Sequence, residues 1–337
     1  MTDNKENVLI RFANVDELDK VRDFIAKEWN LTREYYEQFH LCFDKLWIVV
    51  GVGEETNDIY GTAGLILTSN KANEVQVVLL LVDQEKIKSA IDFSGIVLIN
   101  HVLNNMGFET SSSCGVRKKT LPIYKWLGCI TGKMNHYYRL GDRSEYKVAV
   151  VEDKKIVPWE KGTMTLRRLE TPEDLECFDY EKYKDRKPYK DVWCIKHRYF
   201  DEKKHSYEVY GVENGDGVVD ALLVIRELER EGGRFCKIVD YVGDDRAFAG
   251  LGDEFDRLIK ERGYEFIDFY SVGMDEKDIK AAGFVVLEAE SSNIIPHFTE
   301  PLVKENKDIY YFIDKCEDMH LFIGDCDQDR SVEGYMI

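Results

Sequence analysis

No apolar run in the 337 residues approaches the roughly 20 needed to span a bilayer, so no membrane-spanning helix is expected. The opening stretch, Met1-Thr2-Asp3-Asn4-Lys5-Glu6-Asn7, is polar and has no secretory apolar core, which points to a cytoplasmic location. Eight cysteines are present, but none forms a C-x-x-C pair or clusters with histidine. That excludes the usual zinc patterns and a disulfide framework, and leaves reduced, mostly buried thiols. Positive charge is also scarce: 46 Lys+Arg stand against 64 Asp+Glu, a net charge of −18. Such a field repels phosphate backbones and anionic bilayers, so neither nucleic acid nor a membrane surface is an expected partner. Asp325, Asp327 and Asp329 alternate as calcium ligands do. A calcium loop also needs glycine at its sixth position and glutamate at its twelfth. Counted from Asp325, those positions hold Arg330 and Met336, so no metal is expected and the stretch reads as a solvated or polar-substrate loop.

What is present suffices for real cores. Hydrophobic residues make up 44% and aromatics 12%, and the length favours two domains. The two halves read alike. The first opens with the strand Val8–Phe12 and a helix over Val15–Trp29, with Leu18, Val21, Phe24 and Ile25 on one face. The second opens with Met164–Leu169, then Thr171-Pro172, a helix start with proline at the first position. Each continues with a hairpin, 46–67 and 207–225; the second turns at Asn214-Gly215-Asp216-Gly217, a strong hairpin signal. A third strand (75–82, 236–242), a helix (94–106, 248–262) and a further strand (110–113, 266–270) follow. Each half then has a short helix stopped at glycine, Gly128 or Gly283. The charged stretch Arg143–Gly162 reads as a strand followed by a linker, with the domain boundary near residue 155.

The run Leu121-Pro122-Ile123-Tyr124-Lys125-Trp126-Leu127-Gly128-Cys129 resembles a turn of the GCN5-related N-acetyltransferases (GNATs), with Cys129 where that family usually has an aromatic residue. The doubled order β-α-β-β-β-α-β-α-β is likewise that of the GNAT fold. Over nearly its full length the chain resembles the double-GNAT proteins found among bacterial surface-polysaccharide genes. The resemblance rests on Pro122–Lys125, Gly132–Arg139, Phe178–Tyr183 and Gly324–Arg330. It implies an α/β fold of two tandem GNAT-like domains, residues 1–155 and 156–337.

It also implies sites. Tyr124 would protonate the departing coenzyme A thiolate. A GNAT holds the coenzyme A pyrophosphate at a helix N-terminus, where unpaired N–H groups and the helix dipole suit an anion. Ser94, Gly95 and Ile96 stand at that place in the first half, with Lys86 and Lys88 nearby and Asp92 opposing. In the second half Asp244 and Asp245 face the phosphate position and Ile279 replaces Tyr124, so that half is expected to be degenerate for acyl-CoA. Asn135 and Tyr137 should share one strand face, His136 and Tyr138 the other, beside the acceptor pocket. His136 reads as a base for the acceptor amine, or as a packed histidine satisfied by backbone. Asp83 and Asp240, at the ends of the third strands, read as bases acting through water or as solvated carboxylates. The patches around Arg186 and Arg198 read as a diphosphate site or as a solvated face.

The implied activity is acyl-CoA-dependent N-acylation of an amine, on an amino sugar or nucleotide-linked amino sugar of surface-glycan synthesis, in a monomer or homodimer. Two alternatives stand beside it. One is a non-catalytic scaffold that binds sugar or protein. The other is a Fem-type aminoacyl transferase, which the net charge and the lack of a coiled-coil arm disfavour.

Overall fold

The computed structural model describes residues 5–329, which form two compact units. Within that span the first comprises residues 5–131 and 311–317, the second 132–310 and 318–329. In chain order the elements begin with β1 (Glu6–Phe12), α1 (Leu18–Ile25), α2 (Arg33–Phe39), β2 (Leu41–Cys42), β3 (Lys45–Leu46), β4 (Ile48–Gly53) and β5 (Ile59–Leu67). Then come β6 (Glu74–Val82), β7 (Ala90–Ile91), α3 (Gly95–Asn105), β8 (Thr110–Val116), α4 (Leu121–Trp126) and β9 (Ile130–Lys133). The next are β10 (Asn135–Leu140), β11 (Thr165–Leu169), α5 (Val192–Ile195), β12 (Glu208–Glu213), β13 (Val219–Arg230) and β14 (Gly233–Gly243). Last are α6 (Asp245–Ala249), α7 (Gly252–Arg262), β15 (Tyr264–Val272), α8 (Glu276–Ala281), β16 (Val285–Val286), β17 (Tyr310–Asp314) and β18 (Leu321–Phe322).

Two large mixed sheets result, an α/β architecture as the sequence implies. One runs β7-β1-β4-β5-β6-β8-β17-β9 and the other β11-β12-β13-β14-β15-β10-β16. In the first unit β4 and β5 are buried along their whole length, which is why they read as continuous apolar runs. The amphipathic face of α1 (Leu18, Val21, Phe24 and Ile25) packs with Tyr35, Tyr36 and Phe39 of α2 on that sheet. The α2 helix was not anticipated, and the helix expected over 15–29 is shorter. In the second unit the core gathers around Phe248, Phe255, Phe269 and Phe284. The glycine stops are as expected: Gly128 and Gly283 have φ of +91° and +84°, which a side chain would strain.

Two expectations need correction. The stretch 143–162 forms no strand, only an isolated bridge between Val150 and Ile294. Its backbone is held by a side chain instead, since the buried Glu265 carboxylate accepts from the N–H groups of Lys147, Val148 and Ala149. The strand with His136, expected to complete the first-half sheet, joins the second. There β10 lies antiparallel to β15, from Asn135↔Ser271 to Leu140↔Phe266. In the first sheet β17 lies between β8 and β9. Each unit is thus completed by a strand from the other half of the sequence. No helix of the described residues is long and apolar enough to cross a membrane.

Candidate functional site

In the first unit β6 and β8 run parallel and pair at Glu74↔Thr110, Val75↔Ser111 and Gln76↔Ser112. The Ser113 hydroxyl adds a bond to the Val77 carbonyl at 2.7 Å. Beyond it the strands part. β6 continues to Val82 with Val78–Val82 half-buried. It carries a bulge where the register with β5 shifts, and there Leu79 has φ of +48°. The parting leaves an opening whose wall is backbone that the β6–β8 ladder does not use.

The start of α3 lies against the end of β6, because a Cβ on Gly95 would touch Val82 Cγ2 at 3.2 Å. Ser94 is the N-cap, its hydroxyl accepting from Val97 N at 3.3 Å. Ile96 and Val97 are exposed there. The two lysines expected to add positive charge are already paired: Lys86 with Asp58 at 2.7 Å, Lys88 with Glu85 at 2.5 Å. Asp83 closes the turn after β6, its Oδ1 accepting from the N–H groups of Glu85 and Lys86. Lys27 donates to its other oxygen at 2.5 Å, and that bond holds the carboxyl below its ordinary range. Asp83 is therefore ionised and only weakly basic.

Tyr124, on α4, is buried and stacks on Phe312 of β17, with ring centroids 4.3 Å apart. Burial pushes its phenol up to about 12, against a hydrogen bond with Thr120. The hydroxyl keeps its proton at neutral pH, which is the state an acid needs.

The remaining candidates lie in the second unit. His136 is buried on β10, stacked on Tyr270 at 3.9 Å, with Nε2 2.8 Å from Asp268 Oδ2. Asp268 also accepts from Lys237 Nζ at 2.9 Å, and Lys237 donates to the Pro296 carbonyl at 3.1 Å. Burial pushes His136 down. It also works against the Asp268 carboxylate, but Lys237 and His136 outweigh it and hold that carboxyl low. Asn135 donates to the Tyr137 hydroxyl at 3.2 Å, consistent with the shared face expected for them. Tyr137 packs in the main core, and the Tyr138 hydroxyl accepts from Asn293 at 3.1 Å.

The cations read as a diphosphate patch are engaged by acids. Arg186 bonds the Gly243 carbonyl and Asp245. Arg198 is buried between Asp327 at 3.3 Å and Asp329 at 3.2 Å. Lys190 lies 2.7 Å from Asp240 and 2.9 Å from Asp325. The alternating aspartates of the last segment are thus counter-ions to arginine and lysine. The spacing could not show this, because the partners are up to 135 positions away.

The second unit repeats the parting of parallel strands. β14 and β15 pair from Arg234↔Tyr264 to Lys237↔Asp268 and then separate. Here the gap is filled. β18 pairs with β15 at Ser271↔Phe322 and Val272↔Leu321, and Gly324 N donates to the Val239 carbonyl of β14 at 2.7 Å. A Cβ on Gly324 would lie 2.6 Å from that carbonyl oxygen and 2.7 Å from the Tyr199 hydroxyl, so only glycine fits. Among the described residues no strand enters the β6–β8 opening in this way. The start of α7 is covered too, since a Cβ on Gly252 would meet the Trp159 ring at 2.5 Å.

Parallel strands that part beside a helix N-terminus, in a mixed sheet of this order, place the chain in the GNAT fold. Solved structures agree. A GCN5-related N-acetyltransferase from Anabaena variabilis superposes with a TM-score of 0.57 at 11% identity, over 91% of this chain and 72% of that one. A conserved protein of unknown function from Enterococcus faecalis gives 0.55 at 11% identity, over 91% and 71%. At such identity the likeness is one of fold. No family model and no curated protein matches the chain in sequence.

Proposed function

We propose that the first unit binds an acyl-coenzyme A and transfers its acyl group to an amine. The observation that carries this reading is the opening between β6 and β8, bulged at Leu79 and flanked by the α3 N-terminus. In this scheme the N–H groups of Gly95 and Ile96 meet the pyrophosphate. The thioester carbonyl lies at the bulge, where backbone N–H groups outside the β6–β8 ladder stabilise the oxyanion. The amine nitrogen attacks the thioester carbon, the C–S bond breaks, and the Tyr124 hydroxyl gives its proton to sulfur. The amine proton leaves to a water that ionised Asp83 can hold. By the family resemblance the acceptor is an amino sugar or nucleotide-linked amino sugar in the cytoplasm. The second unit is a diverged copy without a donor site, a role supported by its filled strand gap and by Ile279 in place of Tyr124.

Titrating the intact protein with acetyl-CoA tests the reading, with micromolar affinity, about −8 kcal/mol, expected. One observation favours the second reading, a non-catalytic scaffold: Lys86 and Lys88 already have carboxylate partners. Absence of both heat and thermal shift with acetyl-CoA would move the assignment there.

A further inference from the structure

The second unit contains a cleft whose lining includes Arg139 of β10, Arg143, Ile156, Trp159 and the acids Asp142 and Asp256. Arg139 is only 5% exposed. Its Nη1 donates to the carbonyls of Gly252 at 2.8 Å and Ala282 at 2.7 Å, and its guanidinium lies 4.2 Å from the Trp159 ring centroid. Those contacts fix the group, yet Nη2 has no hydrogen-bond partner. A buried cationic donor left open is unfavourable, and burial pushes this guanidinium down to about 10.

No neighbouring acid comes within hydrogen-bond distance of Nη2. Asp256, 3.9 Å from Nη2, is held by Lys260 at 2.7 Å. Asp142 is bound by Lys154 at 2.5 Å. Arg143 donates to the Gly263 carbonyl at 2.9 Å and has no ion pair among the described residues. One cleft of a chain of net charge −18 is thus lined by Arg139, whose ion pair with Asp256 is a long one of 3.9 Å, and by Arg143, which has none among the described residues. A guanidinium fork matches the paired oxygens of a phosphate or carboxylate, and the Ile156–Trp159 side offers an apolar shelf.

We propose that this cleft binds a small organic oxyanion, a phosphate or carboxylate on a flat or apolar body, with Arg139 and Arg143 holding the charge and Trp159 the body. The site is independent of the acyl-transfer reading and stands if that reading fails.

The test is a titration of the full chain with phenyl phosphate and with benzoate, read by tryptophan fluorescence and thermal shift. Saturable binding of either is expected, at least tenfold weaker in Arg143→Gln, and the preferred probe identifies the headgroup. Arg143 lies at the rim, so that variant should fold. Arg139→Gln should abolish binding but removes two structural hydrogen bonds, so it is interpreted only if its thermal transition is retained. No saturable binding of either probe, or equal affinity in the wild type and Arg143→Gln, overturns the proposal.

Discussion

His136 Nε2 lies 2.8 Å from Asp268 Oδ2, joining residues 132 positions apart where β10 pairs with β15. The contact is part of a dry ionic group, because Lys237 meets the same carboxylate with 3% of its side chain exposed. Burying such charges is tolerable only while each keeps its partner.

Asp268→Asn should therefore destabilise the protein by about 3–5 kcal/mol, since it leaves the Lys237 ammonium buried without its anion. Urea unfolding measures this. Replacing both as Asp268→Leu with Lys237→Met should cost less than the two single losses added together, because the pair acts as a unit. Additive losses would mean that the pair is not coupled.

Acid should weaken the second unit through its buried histidines. Burial pushes His136 below its ordinary value and His297 from 6.5 to about 3. The unfolded chain takes up these protons near pH 6.5 while the folded state resists. For His297 the contribution is thus complete above pH 6.5 and falls as the pH drops toward 3, by up to about 1.4 kcal/mol per pH unit, and His136 adds a loss of the same sign below pH 6.5. His297→Gln should flatten the fall between pH 6.5 and 4. An unchanged slope in that variant would assign the effect elsewhere.

Lys190 holds Asp240 and Asp325 apart as a shared counter-ion and so anchors the segment that fills the β14–β15 gap. Lys190→Met leaves two buried carboxylates facing each other, and a loss of about 3–5 kcal/mol is expected. Limited proteolysis should then cut within residues 321–329 faster than in the wild type.

Ile96→Glu separates fold from ligand. The side chain is 38% exposed in the first turn of α3, where a carboxylate suits the helix dipole, so the thermal midpoint should hold or rise slightly. Acetyl-CoA affinity should fall at least about tenfold, through repulsion worth about 1.4 kcal/mol. Unchanged affinity would remove the α3 N-terminus from the donor site.

Tyr124→Phe removes only the hydroxyl. Acetyl-CoA binding should be unchanged, while turnover with an amine acceptor falls about 10²-fold if the phenol protonates the thiolate. Equal turnover would leave Tyr124 with packing on Phe312 as its whole role.

Local order was legible in the sequence. The hairpins at 48–67 and 208–230, the face of α1, the start of α3 at Ser94 and the glycine stops at Gly128 and Gly283 all follow from period, capping and turn chemistry within a few residues. So did the placement of Tyr124 on a short helix. Those signals need no partner from elsewhere in the chain.

What the tertiary structure alone decided is which strands and charges meet. Alternation in 135–140 defines two faces, but nothing local says that β10 pairs with β15 or that β17 comes to lie beside β8. Aspartates 325, 327 and 329 look like a solvated loop until Lys190 and Arg198 close on them. Nor can spacing show that one strand gap stays open while the other receives β18. The reason is physical. Periodicity and capping are set by neighbours along the chain, whereas pairing and burial of charge depend on groups brought together from a hundred or more residues away.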